Sequence, residues 1–395
     1  MIPRGQFILS GVAAALAFSG RARAAKATGK VRVAVIGHTG RGGFGHGLDT
    51  MWLGIPEAEL VGVADADPAG RRAAVAKLRL KQGHADYRLM LAETKPDIVA
   101  IGPRHVDQHR DMTLAAVAHG AKGIYLEKPF CRTPAEADEM VRACEARKVR
   151  MAVAHRNRWH PVLPTMRKLI REGAIGRVVE IRGRGKEDHR GGPLDLWVLG
   201  SHVLNLAVFF TGPARSCMAT ILLNGRPVTR EDIVEGAEGV GPLAGDELHA
   251  RYETESGIPV FFDSVKDAGL AASGFGLQIH GTKGIFDLRA DVEPLAHKFS
   301  GSAYPLAKEE MKWTPISSAG IGIPEPIPNL GRRLSSHFIP GVDLIDAIRD
   351  GRDPICSARE GAATIEMIMA AFESHRQGAR VMLPLTHRGN PLGSL

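Results

Sequence analysis

Lys128 stands in the turn Glu127-Lys128-Pro129, directly after the apolar run Gly123 to Leu126. A lysine so placed can take the proton of an alcohol or return one to a carbonyl. It needs burial or a neighbouring positive charge to bring its pKa down from about 10.4. Pro129 disfavours helix at the residue before it, which keeps Lys128 in a turn. Glu127 can pair with a nearby cation and orient that turn. The ordinary alternative is a surface lysine in a strand-to-helix loop.

A second cluster lies upstream, where the apolar run Val31 to Ile36 leads into Gly37, His38, Thr39, Gly40, Arg41, Gly42 and Gly43. Glycines allow a tight turn and close backbone approach to phosphates, and the N–H groups at the start of a following helix can take a pyrophosphate. The pattern is G-x-x-G-x-x-G, with Thr39 where the commoner G-x-G-x-x-G has its second glycine. Asp65 closes the next apolar run. A carboxylate there hydrogen-bonds the ribose hydroxyls of NAD and repels the extra phosphate of NADP. Arg71 and Arg72 lie close in sequence and keep NADP open.

These residues need elements to hold them. Between residues 30 and 155, apolar runs at 31–36, 60–64, 97–101, 123–126 and 150–154 alternate with helical stretches at 68–80, 111–119 and 134–147. A further helix is expected directly after the glycine turn. Pro68 fits a first helical position and Thr133 an N-cap. The rhythm predicts an α/β fold with a doubly wound parallel sheet, and Lys128 at the carboxyl end of its fourth strand, where such sheets place their chemistry. From 156 to 390 the pattern changes. Helices are expected at 161–172 and 195–210, with strands at 177–185, 215–223, 246–254, 258–265, 275–281 and 284–289, giving a mostly antiparallel sheet. The Pro-, Gly- and Ser-rich stretch 300–335 reads as a long excursion, and helices at 338–350 and 358–377 follow.

At 395 residues, two domains are expected. Of the net +8 charge, three units belong to Arg4, Arg21 and Arg23 in a first segment without acids. The remaining +5 is spread out, with no basic block and little aromatic interleaving. That suits anionic cofactor phosphates or acidic sugars at least as well as nucleic acid, and no nucleic-acid partner is expected. Residues 1–24 read as an export signal: Arg4, an apolar run from Phe7 to Phe18, and Ala22-Arg23-Ala24 as a cleavage site. Arg4-Gly5-Gln6-Phe7-Ile8-Leu9 resembles a twin-arginine signal whose second arginine has become glycine. The expected location is the periplasm, with no membrane anchor, since the run is too short to span a bilayer. Cys131, Cys144, Cys217 and Cys356 lack C-x-x-C spacing, so neither a metal site nor a redox pair is indicated, and free thiols are expected.

The chain resembles the Gfo/Idh/MocA family, the relatives of glucose–fructose oxidoreductase and inositol dehydrogenase. The resemblance rests on Gly37 to Gly43, Asp65, Pro103 with His109, Glu127-Lys128-Pro129, Arg158 with Pro161, Gly200-x-His202, and the stretches 347–352 and 374–384. It implies a Rossmann domain followed by an α/β domain whose open sheet can join copies into a homo-oligomer. The implied activity is hydride exchange between a nicotinamide and a sugar, cyclitol or derivative. By resemblance, Gly37, Thr39, Gly40, Arg41, Gly43, Asp65, Pro103, His109, Glu127, Lys128 and Arg158 belong to the cofactor site. Arg156, Arg184, Glu187 and Asp188 are then candidates for substrate contact. His202 is expected to act with Lys128 on the reacting hydroxyl.

Four residues before His202 the family has an aspartate, and this chain has Val198. Asp195, one helical turn earlier, can substitute, as can Glu187 or Asp188; a helix N-terminal carboxylate beside the macrodipole is the other reading of Asp195. Two further functions stay open. One is a redox-neutral enzyme, a glycosidase or lyase passing through a transient ketone on a permanently held cofactor. The other is a non-catalytic sugar-binding protein.

Overall fold

A computed structural model describes residues 29–269, 274–302 and 312–395. The export signal read at 1–24 lies outside the described residues, as does 303–311 within the expected excursion.

Five parallel strands form the first sheet in the order β2-β1-β3-β4-β5. They are β1 (Val31–Ile36), β2 (Ala58–Ala64), β3 (Ile98–Ile101), β4 (Gly123–Leu126) and β5 (Arg150–Val153). Val33, Ala34, Val35, Ile98, Val99, Ala100, Ile124, Tyr125 and Leu126 are buried, as strands covered by helices on both faces must be. The connecting helices are α1 (Pro68–Leu78), α2 (Tyr87–Thr94), α3 (His109–Ala118) and α4 (Pro134–Ala146). Asp67 caps α1 through Gly70 N, and Thr133 caps α4 through Glu136 N. Helix α2 was not expected; Asp86 caps it through Arg88 N.

The expected helix after the glycine turn does not form. Residues 38–49 make successive turns, and only a short 3₁₀ turn, Thr50–Gly54, precedes β2. The reason is local: Gly40, Gly42, Gly43, Gly45 and Gly47 all have positive φ, from +59° at Gly43 to +93° at Gly47. A right-handed helix needs negative φ at each residue.

The second part begins with α5 (Val162–Arg171) and β6 (Val178–Arg184). A continuous rod follows: α6 (Pro193–Asp195), a π-helical turn (Leu196–Gly200) and α7 (Ser201–Thr211). This 19-residue rod is the one described helix long and apolar enough to cross a membrane, and it is buried inside the protein. Next come β7 (Ala214–Leu223), β8 (Arg226–Pro227), β9 (Val234–Gly236), β10 (Gly241–Leu243), β11 (Glu247–Thr254), β12 (Val260–Val265), β13 (Gly276–Gly281), β14 (Gly284–Arg289) and β15 (Ala296–Ser300). The described part of the expected excursion is ordered structure: β16 (Trp313–Ser317), β17 (Gly320–Ile321) and α8 (Leu330–Ser335). Helices α9 (Phe338–Asp350) and α10 (Ala358–Gln377) and strand β18 (Val381–Met382) close the chain.

Eleven of these strands form one sheet, ordered β17-β16-β15-β14-β13-β6-β12-β11-β7-β18 with β8 on β7; β9 and β10 pair apart. Only β6 and β12 run parallel within it. Its inner face packs on α7 and α10. Helix α10 also packs on α4, and α9 lies on β4 and β5, so the C-terminal helices weld the two parts together.

Candidate active site

Lys128 leaves β4 at its carboxyl end and is buried. Its Nζ donates to the Val198 carbonyl at 2.9 Å, inside the π-helical turn. A π turn is a frequent device for adjusting a helix at a functional site. Burial lowers the Lys128 pKa, with the Glu127, Glu238 and Asp291 carboxylates pulling it back up and Arg104 adding to the fall. Among the described residues no carboxylate pairs with Nζ.

Glu127 fixes the lysine's backbone. Its Oε1 accepts from Lys128 N at 2.9 Å, and its Oε2 accepts from His46 N and stands 3.0 Å from His46 Nδ1. Though burial opposes it, His46 and Lys128 hold this carboxyl below its ordinary range. The glycine loop closes directly over this point: a Cβ on Gly45 would stand 2.2 Å from Glu127 Oε2. His109 ties the two turns from below, with Nδ1 2.8 Å from the Pro129 carbonyl and Nε2 2.7 Å from the Pro103 carbonyl. It is fully buried, so it positions these turns rather than facing a ligand.

The glycine loop fits a dinucleotide. Gly40 and Gly43 have positive φ and nothing within 4 Å of where a Cβ would stand, so the backbone there borders open space. Arg41 pairs with Asp107 on the loop's flank at 2.5 Å. Gly37 is the exception, since Phe44 fills the space beside it. Asp65 is already engaged within the protein: both oxygens accept from Thr39 N at 3.1 Å, Oδ2 also from Thr39 Oγ1 at 2.7 Å, and Oδ1 from Asp67 N at 3.0 Å. A ribose hydroxyl at Asp65 must share the carboxylate with Thr39. The Thr39 hydroxyl, which a glycine would lack, adds a third contact to the two that its backbone N–H makes.

His202, early in α7, faces His155 just beyond β5. The rings meet edge to face with their centroids 4.9 Å apart, and the two Nδ1 atoms lie 3.4 Å from each other. Burial drives both pKa values well below the ordinary histidine value, helped by Lys128 for both, by Arg156 for His202, and by His202 and Arg158 for His155. Both imidazoles are therefore neutral at neutral pH. His155 was not among the residues singled out from sequence. The available signal was positional: it follows β5, the neighbour of the strand that presents Lys128.

The other candidates are placed elsewhere. Asp195 Oδ2 accepts from Glu187 N at 3.0 Å and Ser264 Oγ at 2.7 Å, no bond joins it to Lys128, and burial raises its pKa. Glu187 binds Arg184 at 2.8 Å and Val265 N at 2.9 Å. Asp188 pairs with Arg190. These four residues, Arg184, Glu187, Asp188 and Asp195, order the loop after β6 and tie it to Arg190 and to Ser264 and Val265 of β12. Arg156 pairs with Asp291 at 2.8 Å. Arg158 is buried against Glu360 and the Phe209 ring, at the joint with α10 rather than beside the glycine turn. The four cysteines are free and buried.

A glycine-loop dinucleotide cradle beside a buried lysine at the end of a parallel strand defines a nicotinamide-type oxidoreductase site. Residues 31–155 match the NAD-binding Rossmann fold of the Gfo/Idh/MocA oxidoreductase family, and residues 167–383 match that family's C-terminal alpha/beta domain, so the chain belongs to this family. It is 27% identical to D-apiose dehydrogenase of Paraburkholderia graminis over 353 residues, covering 84% of this chain and 85% of that protein. It is 25% identical to levoglucosan dehydrogenase of Pseudarthrobacter phenanthrenivorans over 362 residues, covering 82% and 89%. A structure of levoglucosan dehydrogenase with NADH and levoglucosan shares the fold, with a TM-score of 0.70 at 22% identity, over 90% of this chain and 99% of that one.

Proposed function

We propose that this oxidoreductase is an NAD-dependent dehydrogenase of a sugar, cyclitol or derivative, with Lys128 as general acid/base and His202 holding the reacting oxygen. The observation that carries the proposal is the buried Lys128 ammonium at the carboxyl end of β4, whose charge acts on a pair of buried neutral imidazoles, His155 and His202. The dehydrogenases of D-apiose and levoglucosan among its relatives favour a carbohydrate substrate. When bound, the nicotinamide takes up the hydrogen and both electrons of a C–H bond, or returns them.

The protein's own groups handle the proton. Burial makes the neutral amine of Lys128 accessible at lower pH than for a free lysine, and that amine accepts the hydroxyl proton. The Val198 carbonyl fixes Nζ, which limits its search for the substrate oxygen. Glu127 and His109 hold the backbone that carries it. Gly40 and Gly43 leave room for the phosphates, and Arg41 flanks them.

The test is turnover of a panel of sugars, sugar lactols and cyclitols with NAD⁺ and with NADP⁺, comparing the wild type with Lys128→Met. Nicotinamide reduction that Lys128→Met abolishes supports the proposal. A wild type that neither turns over the panel nor binds a nicotinamide refutes it. Turnover by protein carrying its own cofactor, with none added, selects the redox-neutral alternative. We also infer that residues 1–24 export the chain, which fractionation of cells expressing it with and without them tests. The outer face of the large sheet, carrying Arg182, Phe261 and Met218, is our proposed contact between copies, and light scattering of Met218→Asp reads it out.

A further inference from the structure

The family resemblance leads one to expect a carboxylate four residues before His202, and Val198 leaves that imidazole without one. Yet His202 is not alone. Its Nδ1 lies 3.4 Å from Nδ1 of His155, and both rings are buried. His155 leads directly out of β5, the strand hydrogen-bonded to the one that presents Lys128, so two adjacent strand ends deliver the lysine and this imidazole to the same place. On its far side His155 Nε2 is buried with no partner. The His155 ring thus has a single hydrogen-bonding outlet, and it points at His202.

We propose that His155 takes over the role of the missing carboxylate as the positioning residue for His202: its Nδ1–H donates to His202 Nδ1 and leaves His202 with its proton on Nε2. Two neutral imidazoles in contact can share one hydrogen only by this pattern or its reverse. The reverse would put an N–H on His155 Nε2 in an apolar, unpartnered setting, whereas the first leaves there only a bare ring nitrogen. His202 then presents an N–H donor from Nε2 to the substrate oxygen, complementing Lys128, which exchanges the proton. A carboxylate partner would favour an imidazolium, and a neutral imidazole partner does not. The groups that act on His202 agree: Lys128, Arg156 and His46 oppose its positive charge, and only Glu127 favours it. Around His155, Lys128, Arg158 and His202 oppose a charge and Glu127 alone favours one.

This inference rests on the proposed dehydrogenase reading, and its experiment separates the two. In protein labelled with ¹⁵N-histidine and loaded with cofactor, His202 is expected as the Nε2–H tautomer, and His155→Phe is expected to change that signal. With a substrate found in the panel, His155→Phe should lower kcat by about 10–100-fold, the scale for a misplaced catalytic group, while KM and nucleotide affinity change less than about threefold. His155→Asn, whose amide can donate from the position of Nδ1, should recover part of the lost kcat. A His202 that holds the Nδ1–H tautomer, or a folded His155→Phe with wild-type kcat beside an inactive Lys128→Met, overturns the proposal and leaves the dehydrogenase reading intact. Loss of kcat in His155→Phe with no recovery in a folded His155→Asn also counts against it.

Discussion

Glu127→Gln is the sharpest probe of how the lysine is held. The carboxylate accepts three contacts, from Lys128 N on one oxygen and from His46 N and Nδ1 on the other. An amide has one accepting end. Whichever way it sits, its NH₂ faces a donor, leaving the buried Lys128 N–H or the part-buried His46 N–H unpaired at about 1–3 kcal/mol, and the remaining contacts lose their charge assistance. A total near 3 kcal/mol follows. With an unfolding entropy of about 2.1 cal/mol/K per residue, a chain of this size should melt roughly 4 °C lower. The loss must depend on pH. The native environment lowers the Glu127 pKa, so its contribution is complete above the unfolded carboxylate value of about 4.3 and disappears as pH falls through the native one. Glu127 also raises the Lys128 pKa, so the rising limb of the pH–rate profile should move to lower pH in the variant. Scanning calorimetry and a pH–rate series check both. Equal melting at pH 7, or a difference unchanged between pH 7 and pH 3, would refute the reasoning.

Lys128→Met should cut kcat by about 10²–10⁴ with nucleotide affinity retained, and remove a wild-type alcohol-oxidation limb that rises with pH below the ordinary lysine value. Gly70→Ala should destabilise by about 1–3 kcal/mol and weaken nucleotide binding, as titration would show. Its Cβ would lie 2.0 Å from Thr39 Oγ1, overriding the gain of about 1 kcal/mol that alanine brings to a helix. His337, hydrogen-bonded to Tyr125 at 2.6 Å, is pushed down to about 4 by burial, so the unfolded chain binds its proton first as pH falls. Stability of about 3 kcal/mol, complete above about pH 6.5, should be lost by pH 4, and His337→Gln should flatten that slope in urea titrations.

Much of this was legible in the residues. The parallel strands announced themselves as apolar runs too short for helices, and α4 by Pro134 after a capping threonine. Lys128 could be placed because it directly follows such a run. The missing helix after β1 was legible too: six glycines in residues 37–47 resist a helix, but the motif's usual context outweighed that count. His155 was hidden because its partner is 47 residues away, on a different element. Asp195 looked free to reach the lysine since nothing local reveals Ser264, which hydrogen-bonds it from β12. Asp65 could be placed at the end of its strand, but its bonds to Thr39 were hidden: a strand-end carboxylate shows its position in sequence and not which hydroxyl claims it.

The π-helical turn at Leu196–Gly200 sets a phase. Successive residues of an α-helix advance by about 100°, so one residue more or fewer in that turn would rotate everything beyond it by that angle relative to everything before it. Asp195 on one side is docked into the loop after β6, and His202 on the other is aimed at His155. The turn therefore works as an angular offset between an anchor and a reacting group. Removing a single residue there would swing His202 off His155 and leave every site side chain chemically intact.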